Sequence, residues 1–183
     1  MSITVEYEGR GWSMETPAPA FGLRVRRMAD LSGRALLEEI RGIVLDVMAL
    51  DDWCEFHRRM ITGDMPDDCL PEIFMRWLET SCGKPMSAVV TLCHIMVQSW
   101  PTVRGRLITS GIPDPLGQIT TLASMLDAVE FMVREGHQDE KAAKKWEREV
   151  YRPRAKSGEI QKPAGFEDND LEAQDAVLAA FGG

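Results

Sequence analysis

Residues 2–16 alternate between apolar and polar side chains. A repeat of two residues is the period of a β-strand, whose successive side chains point to opposite faces. Two alternating runs flank Gly9-Arg10-Gly11, which we interpret as a three-residue turn because glycine adopts positive φ without steric cost. The pattern predicts a β-hairpin. Since a lone hairpin is marginally stable, we expect it to pack on the helical part of the chain or on a partner.

A short linker follows the hairpin. Pro17 and Pro19 stiffen its backbone. The mixed apolar and basic sequence of residues 23–28 fits either a third short strand or a first helical turn, and both interpretations remain open. We assign residues 1–31 to one unit, the hairpin and its linker.

From residue 32 the apolar residues recur every three or four positions, which is the period of an amphipathic helix. Ser32 is a plausible N-cap, and Asp51 or Asp52 is predicted to cap a second helix that ends at Gly63. Gly83-Lys84-Pro85 ends one later helix and starts the next. These signals predict a helical body over residues 32–136. The apolar faces of its first two helices comprise Leu36, Leu37, Ile40, Ile43, Val44, Val47, Trp53, Phe56, Met60 and Ile61.

The connector Gly111-Ile112-Pro113-Asp114-Pro115 separates the last two helices of the body. Asp114 followed by Pro115 is a strong helix start, with the aspartate as cap and the proline in the first position. Apolar residues continue at helical spacing from Ile119 to Met132, so a helix is predicted to follow the proline. We interpret the polar residues of this connector as caps with a role in folding rather than in chemistry.

After Gly136 the sequence becomes charged, and residues 137–183 form a third predicted unit. Residues 139–150 can form a helix with few apolar positions, and residues 157–170 have the composition of a disordered segment. Residues 171–181 predict a short amphipathic helix that either docks on a partner or packs on its own body. Its candidate partner-binding residues are Leu171, Val177, Leu178 and Phe181. The predicted fold is therefore mainly α: a compact multi-helix domain with an N-terminal β-hairpin and a partly disordered, charged C-terminal tail.

The composition is that of an ordinary globular protein, with 183 residues, 44% hydrophobic residues, a net charge of −8 and a pI of about 5.0. This acidity argues against a nucleic-acid binder, which needs a basic face, and the basic residues within 141–156 are better interpreted as a solvated helix. We expect no signal peptide, because charged residues lie where its apolar region would be, and no membrane span, because no apolar run approaches the roughly 20 residues that a span needs. The four cysteines are expected to be free thiols.

We predict no catalytic, cofactor-binding or metal site, and no enzyme activity. Cys54 and His57 have metal-like spacing but form only one tight pair, whereas a structural zinc site usually has two. Cys93 and His94 are adjacent, so their side chains diverge on a helix and do not form a nucleophile–base pair. The acidic residues at 64, 67 and 68 lack the pattern of a calcium loop, and no glycine-rich phosphate loop is present.

Residues 50–133 carry an ordered motif. It consists of aromatic residues, residues that end helices, and a connector that runs from glycine to proline. The motif reads Asp52-Trp53-x-x-Phe56, Trp77, Gly83-x-Pro85, Trp100 and Gly105-Arg106-Leu107-x-x-x-Gly111-x-x-Asp114-Pro115-Leu116. In this respect the chain resembles the tail assembly chaperones of long-tailed phages that infect actinobacteria.

The resemblance implies a small helical protein that is not an enzyme and acts in the host cell cytoplasm. Members of this family bind the tape-measure protein, help recruit tail-tube subunits and are absent from the mature virion. The resemblance also implies self-association and a longer product made by a programmed ribosomal frameshift. Two other classes stay open: a structural head–tail or virion connector subunit, and a small helical adaptor protein.

Overall fold

The structure is a computed structural model that describes residues 1–66, 69–137 and 139–151. These residues form two strands and nine helices, so the prediction of a mainly α fold with an N-terminal hairpin is confirmed. The elements are β1 (Ser2–Tyr7), β2 (Arg10–Glu15), α1 (Phe21–Met28), α2 (Gly33–Val47), α3 (Leu50–Thr62), α4 (Cys69–Cys82), α5 (Met86–Gln98), α6 (Trp100–Thr109), α7 (Pro115–Gln118), α8 (Leu122–Gly136) and α9 (Glu140–Val150).

The hairpin turn is shorter than predicted. Tyr7 pairs with Arg10, so only Glu8 and Gly9 connect the strands, and both have positive φ, 48° and 70°. A two-residue turn with positive φ at both positions matches the twist of antiparallel strands better than the three-residue turn that the glycines suggested. Gly11 is consequently part of β2, where it pairs with Glu6.

The hairpin packs on the helical body through its inward face. Trp12 is completely buried and meets Phe56 of α3 edge-on, with ring centroids 5.4 Å apart. The indole Nε1–H of Trp77 in α4 donates to the carbonyl of Glu15 at 2.9 Å, and the carboxylate of Asp52 accepts from the backbone N–H of Ser13 at 2.8 Å. The expectation that the hairpin needs a packing surface is confirmed, and the body supplies that surface.

Residues 23–28 are helical and belong to α1, so the third-strand interpretation is wrong. The close approach of α1 to α5 explains why Gly22 occupies its position. A Cβ at this residue would overlap the terminal methyl group of Met96 in α5. A larger residue would therefore require the Met96 side chain to move.

Helix α5 is the centre of the core. It contacts α1, α4, α6, α8 and α9. A helix that is apolar on every side must be buried, and the buried residues of α5 are Ala88, Val89, Val90, Leu92, Cys93, Ile95 and Met96.

Two predicted helix caps need correction. Ser32 occupies the N-cap of α2 but its side chain makes no capping hydrogen bond. The residue that caps α3 is Ala49, while Asp51 and Asp52 lie in the first turn, where a negative charge still suits the helix dipole. The predicted helix ends before Gly63, Gly83 and Gly111 are confirmed.

The helix expected after Pro115 is interrupted. Asp114 caps α7 as predicted, its carboxylate accepting from the Gly117 N–H at 3.2 Å, but α7 ends at Gln118. A second cap then starts α8, because the Thr121 hydroxyl accepts from the Ser124 N–H at 3.2 Å. Apolar residues continue at helical spacing through α7 and α8, so the spacing alone does not reveal the break between the two helices.

Helix α9 packs on the body. Trp146 and Val150 are buried, and the Ser87 hydroxyl at the start of α5 donates to the Val150 carbonyl at 2.8 Å. Residues 140–150 therefore contribute to the same core as α5. The predicted disordered and amphipathic segments beyond Tyr151 lie outside the described residues.

Candidate functional site: two surface grooves and a buried ion cluster

Apolar side chains are exposed along one side of α3. Leu50, Trp53, His57 and Ile61 are separated by three or four residues, so they line the same side of the helix. Leu50 and Ile61 are each 74% exposed. Phe56, three residues after Trp53, lies on the adjoining side of α3 and is buried in the core. Helix α3 therefore presents one apolar side to the protein interior and another to solvent.

This exposed side forms a wall of a groove between α2, α3 and α4, here called the α3 groove. Its volume is about 310 Å³, and its lining residues are Arg41, Trp53, His57, Met60, Ile61 and Leu70. Leu37 and Leu45 stand four residues before and after Arg41 on α2 and are about half exposed, at 51% and 47%. Among the lining residues that the structure describes, Arg41 and His57 are polar and the others are apolar.

Aromatic stacking holds the centre of the α3 groove in place. The Trp53 ring stacks on Phe56 and on His57, with centroids 5.8 Å apart in both pairs. Phe56 is in turn fixed by its edge contact with the buried Trp12. Because these rings support one another, Trp53 is positioned before any ligand arrives, which lowers the entropic cost of binding.

A second groove lies between α6 and α8, here called the α6/α8 groove. It has a volume of about 510 Å³ and is lined by Arg106, Thr109, Ser110, Phe131, Met132 and Glu135. Phe131 is 61% exposed and is the largest apolar side chain in this groove. A large exposed aromatic ring beside an arginine suits an amphipathic ligand with acidic groups.

Lys84 is the centre of a buried ion cluster next to the α6/α8 groove. Its ammonium lies 2.6 Å from Glu130 Oε2 and 2.8 Å from Asp127 Oδ1, and the Tyr151 hydroxyl donates to Glu130 Oε2 at 2.8 Å. Arg134 reaches the other oxygen of Glu130 at 2.8 Å. The cluster ties the loop between α4 and α5 to α8 and to the end of α9.

The electrostatics of the cluster favour its charged state. Burial alone would lower the pKa of Lys84, but the hydrogen bonds to Asp127 and Glu130 outweigh it and raise that pKa. Burial alone would raise the pKa of Glu130, but the hydrogen bonds from Lys84 and Tyr151 outweigh it and lower that pKa. Both carboxylate oxygens of Glu130 are engaged by cluster members, so the arrangement is that of a structural tie.

Sequence reasoning missed this cluster. Gly83-Lys84-Pro85 was interpreted as a helix terminator, and that interpretation is confirmed for the backbone. The role of the lysine side chain depends on Glu130, forty-six residues away, and no local pattern links the two. The one sign of the cluster in the sequence is Glu130, an acidic residue on the side of α8 that is otherwise apolar.

The four cysteines differ in their exposure. Cys54 is exposed, whereas Cys69, Cys82 and Cys93 are buried. Burial raises the pKa of the Cys82 thiol to about 11 and raises that of Cys93 further, while burial and nearby Arg26 lower the pKa of His94. Within residues 1–66, 69–137 and 139–151, no three His, Cys, Asp or Glu side chains are grouped to hold a metal ion.

The predicted partner-binding residues lie beyond the described part of the chain: Leu171, Val177, Leu178 and Phe181. Their role stays a prediction. The same applies to Asp67 and Asp68, the two acidic residues that stand before α4. Among the helices that the structure describes, none has the length and hydropathy to cross a membrane.

The described chain is a mainly helical protein with one largely apolar groove, lined mostly by α3, and one mixed groove between α6 and α8. Residues 95–183 match a family model described as a family of unknown function (DUF7240). The matched residues begin in the last turn of α5 and include the α6/α8 groove and the C-terminal tail. No curated protein and no solved structure matches the chain.

Proposed function

We propose that this protein is a phage tail assembly chaperone without enzyme activity. Its α3 groove binds apolar helices of the tape-measure protein and keeps them soluble until the tail assembles. A second contact helps to recruit tail-tube subunits. In this proposal the protein acts in the host cytoplasm and leaves the structure before the virion is complete.

The exposed apolar side of α3 is the observation that carries the proposal. From Leu50 to Ile61 this side extends about 16 Å, since a helix rises about 1.5 Å per residue. That length matches three turns of a partner helix, which would present apolar residues at positions i, i+3, i+4 and i+7. An isolated exposed leucine is ordinary on a protein surface, but a contiguous apolar groove is typical of a binding site.

The chemistry of the α3 groove fits a variable helical client. Trp53 offers a rigid ring, while Met60 is flexible and adapts to side chains of different shape. Arg41 at the groove favours a partner helix with an acidic residue opposite it. The net charge of −8 keeps the chaperone itself soluble while this apolar surface is open.

The test compares two aspartate substitutions at exposed apolar residues. Ile61→Asp places a charge in the α3 groove. Leu23→Asp places the same charge on α1, where the leucine is 59% exposed and outside the groove. Each variant is co-expressed with the tape-measure protein, and the soluble, co-purifying tape-measure protein is measured.

We expect Ile61→Asp to reduce co-purification about thirtyfold, because loss of a central binding residue costs ~2 kcal/mol. Leu23→Asp should behave as wild type, and both variants should keep the wild-type melting temperature. The α3 groove would be excluded as the client site if Ile61→Asp co-purified as much tape-measure protein as the wild type. An equal loss of co-purification with Leu23→Asp would exclude it as well.

Mass spectrometry of purified phage particles separates this proposal from the structural alternatives. A chaperone should be absent from the particles, whereas a head–tail or virion connector subunit would be present at a fixed copy number. Detection at such a copy number would refute the chaperone assignment.

A further inference from the structure

The α6/α8 groove lies close to the point where the described chain ends. The hydroxyl of Tyr151, the last described residue, contacts Glu130 of α8. The next residue of α8 is Phe131, which lines the groove. The chain beyond Tyr151 therefore starts beside α8, the helix that carries this exposed aromatic ring.

The remaining chain is long enough to return to this groove. Twenty residues separate Tyr151 from Leu171, and an extended chain spans about 3.3 Å per residue, or about 66 Å in all. That length exceeds the distance around α8, so the tether places no restriction on docking.

The residues at the end of the chain complement the groove. At 100° per residue, the four apolar residues of 171–181 fall within an arc of about 120°. Acidic residues precede and flank them, at Glu167, Asp168, Asp170, Glu172 and Asp175. Helix α6 carries arginines and no acidic residue, and its Arg106 lines the groove together with Glu135 of α8. The apolar side of the segment would thus meet an exposed phenylalanine, and one of its acidic flanks would meet Arg106.

The α6/α8 groove and residues 171–181 both lie within the residues that match the family model. The match over residues 95–183 includes α6, α8 and residues 171–181, whereas the helices that form the α3 groove precede it.

We propose that residues 171–181 dock as an amphipathic helix in the α6/α8 groove of the same chain, with their apolar side against Phe131. Of the two interpretations of this segment, packing on its own body is the one that tether length, charge and proximity favour. This inference does not depend on the chaperone assignment.

Hydrogen exchange of the full-length protein tests the proposal. Phe131→Asp places a charge in the groove, and Leu178→Asp places the same charge on the apolar side of the segment. Two matched controls carry the same charge elsewhere. Ala176→Asp lies on the opposite side of the segment, and Leu116→Asp replaces a leucine that is 54% exposed and outside the groove lining.

In the wild type and in both controls, we expect exchange of residues 171–181 to be slowed about tenfold relative to an unstructured peptide. Both groove-directed variants should return exchange to within about twofold of that peptide. The ε-methyl NMR signal of Met132, which lines the groove, should shift in Leu178→Asp and stay unchanged in Ala176→Asp.

Three results would overturn the proposal. Exchange of residues 171–181 at the unstructured rate in the wild type would exclude docking. Slow exchange that survives Phe131→Asp would place the segment elsewhere. Protection that falls when the protein is diluted would assign the groove to the tail of a second copy. Because Phe131 is already exposed and Leu178 lies in the tail, loss of the fold does not explain agreement between the two variants.

Discussion

Replacing Lys84 with methionine should destabilise the protein by about 3 kcal/mol. The Lys84 and Glu130 side chains are only 10% and 9% exposed. Removing one partner of a buried ion pair costs roughly 3–5 kcal/mol because it leaves a charge without compensation. Glu130 keeps Tyr151 and Arg134 as donors, which places the expected loss at the lower end. Asp127 is 65% exposed and adds little.

Urea denaturation at neutral pH, followed by tryptophan fluorescence, measures this loss. Lys144→Met is the matched control, because Lys144 forms an exposed pair with Glu140 one turn away, and its loss should cost less than ~0.5 kcal/mol. The double variant Lys84→Met, Glu130→Leu should recover most of the stability, since an apolar pair can replace a buried ion pair at little cost.

The effect of Lys84→Met should depend on pH in a defined direction. The pKa of Glu130 is below its ordinary 4.5 in the folded state. The stability contributed by this carboxylate is therefore complete above pH 4.5 and is lost as the pH falls through the folded-state pKa. The pKa of Lys84 is above its ordinary 10.5, so the lysine contribution is lost only as the pH rises through that higher value. The difference in the free energy of unfolding between wild type and Lys84→Met should be constant from about pH 5 to about pH 8. It should become smaller at more acidic pH. A loss below ~1 kcal/mol at neutral pH, or a difference that does not narrow in acid, would refute this account of the cluster.

Two further predictions follow from the caps and the thiols. Asp114→Ala should lower the free energy of unfolding by about 1 kcal/mol, because Asp114 caps α7, whereas Ser32→Ala should change it by less than ~0.5 kcal/mol since this serine makes no capping hydrogen bond. Urea denaturation of both variants checks the pair, and equal losses would contradict the assigned difference. A thiol reagent should titrate one cysteine per native chain, Cys54, and four after denaturation, because the other three are buried. Rapid reaction of a second thiol in the native protein would contradict the described core.

The elements could be predicted where local pattern and tertiary packing agree. The alternation before Tyr7 identified the hairpin, and glycine at the ends of α3 and α6 identified their limits. The turn at Glu8 was missed because a glutamate with positive φ has no strong sequence signal. The break after Gln118 was missed because the apolar period continues across it.

The grooves could not be predicted, because apolar periodicity identifies a helix without showing which of its apolar residues the core covers. Leu37 and Ile61 fit the predicted apolar faces of α2 and α3 as well as Ile40 and Phe56 do, yet the first two are exposed and the last two are buried. Exposure depends on how many helices surround each face. Helix α5 is enclosed by its neighbours, whereas α3 lies at the surface with one side uncovered.

The family match begins in the last turn of α5, but the core that these residues build does not begin there. Helix α8 packs on α4 and α5, and α9 is held by Ser87 and by the cluster around Lys84. Helix α4, Ser87, Lys84 and most of α5 precede residue 95. The described residues after 95 therefore pack on a core to which the earlier part of the chain contributes. The positions of Phe131 and Tyr151 are set by contacts that the matched region alone does not supply, which is why tests of either groove require the full chain.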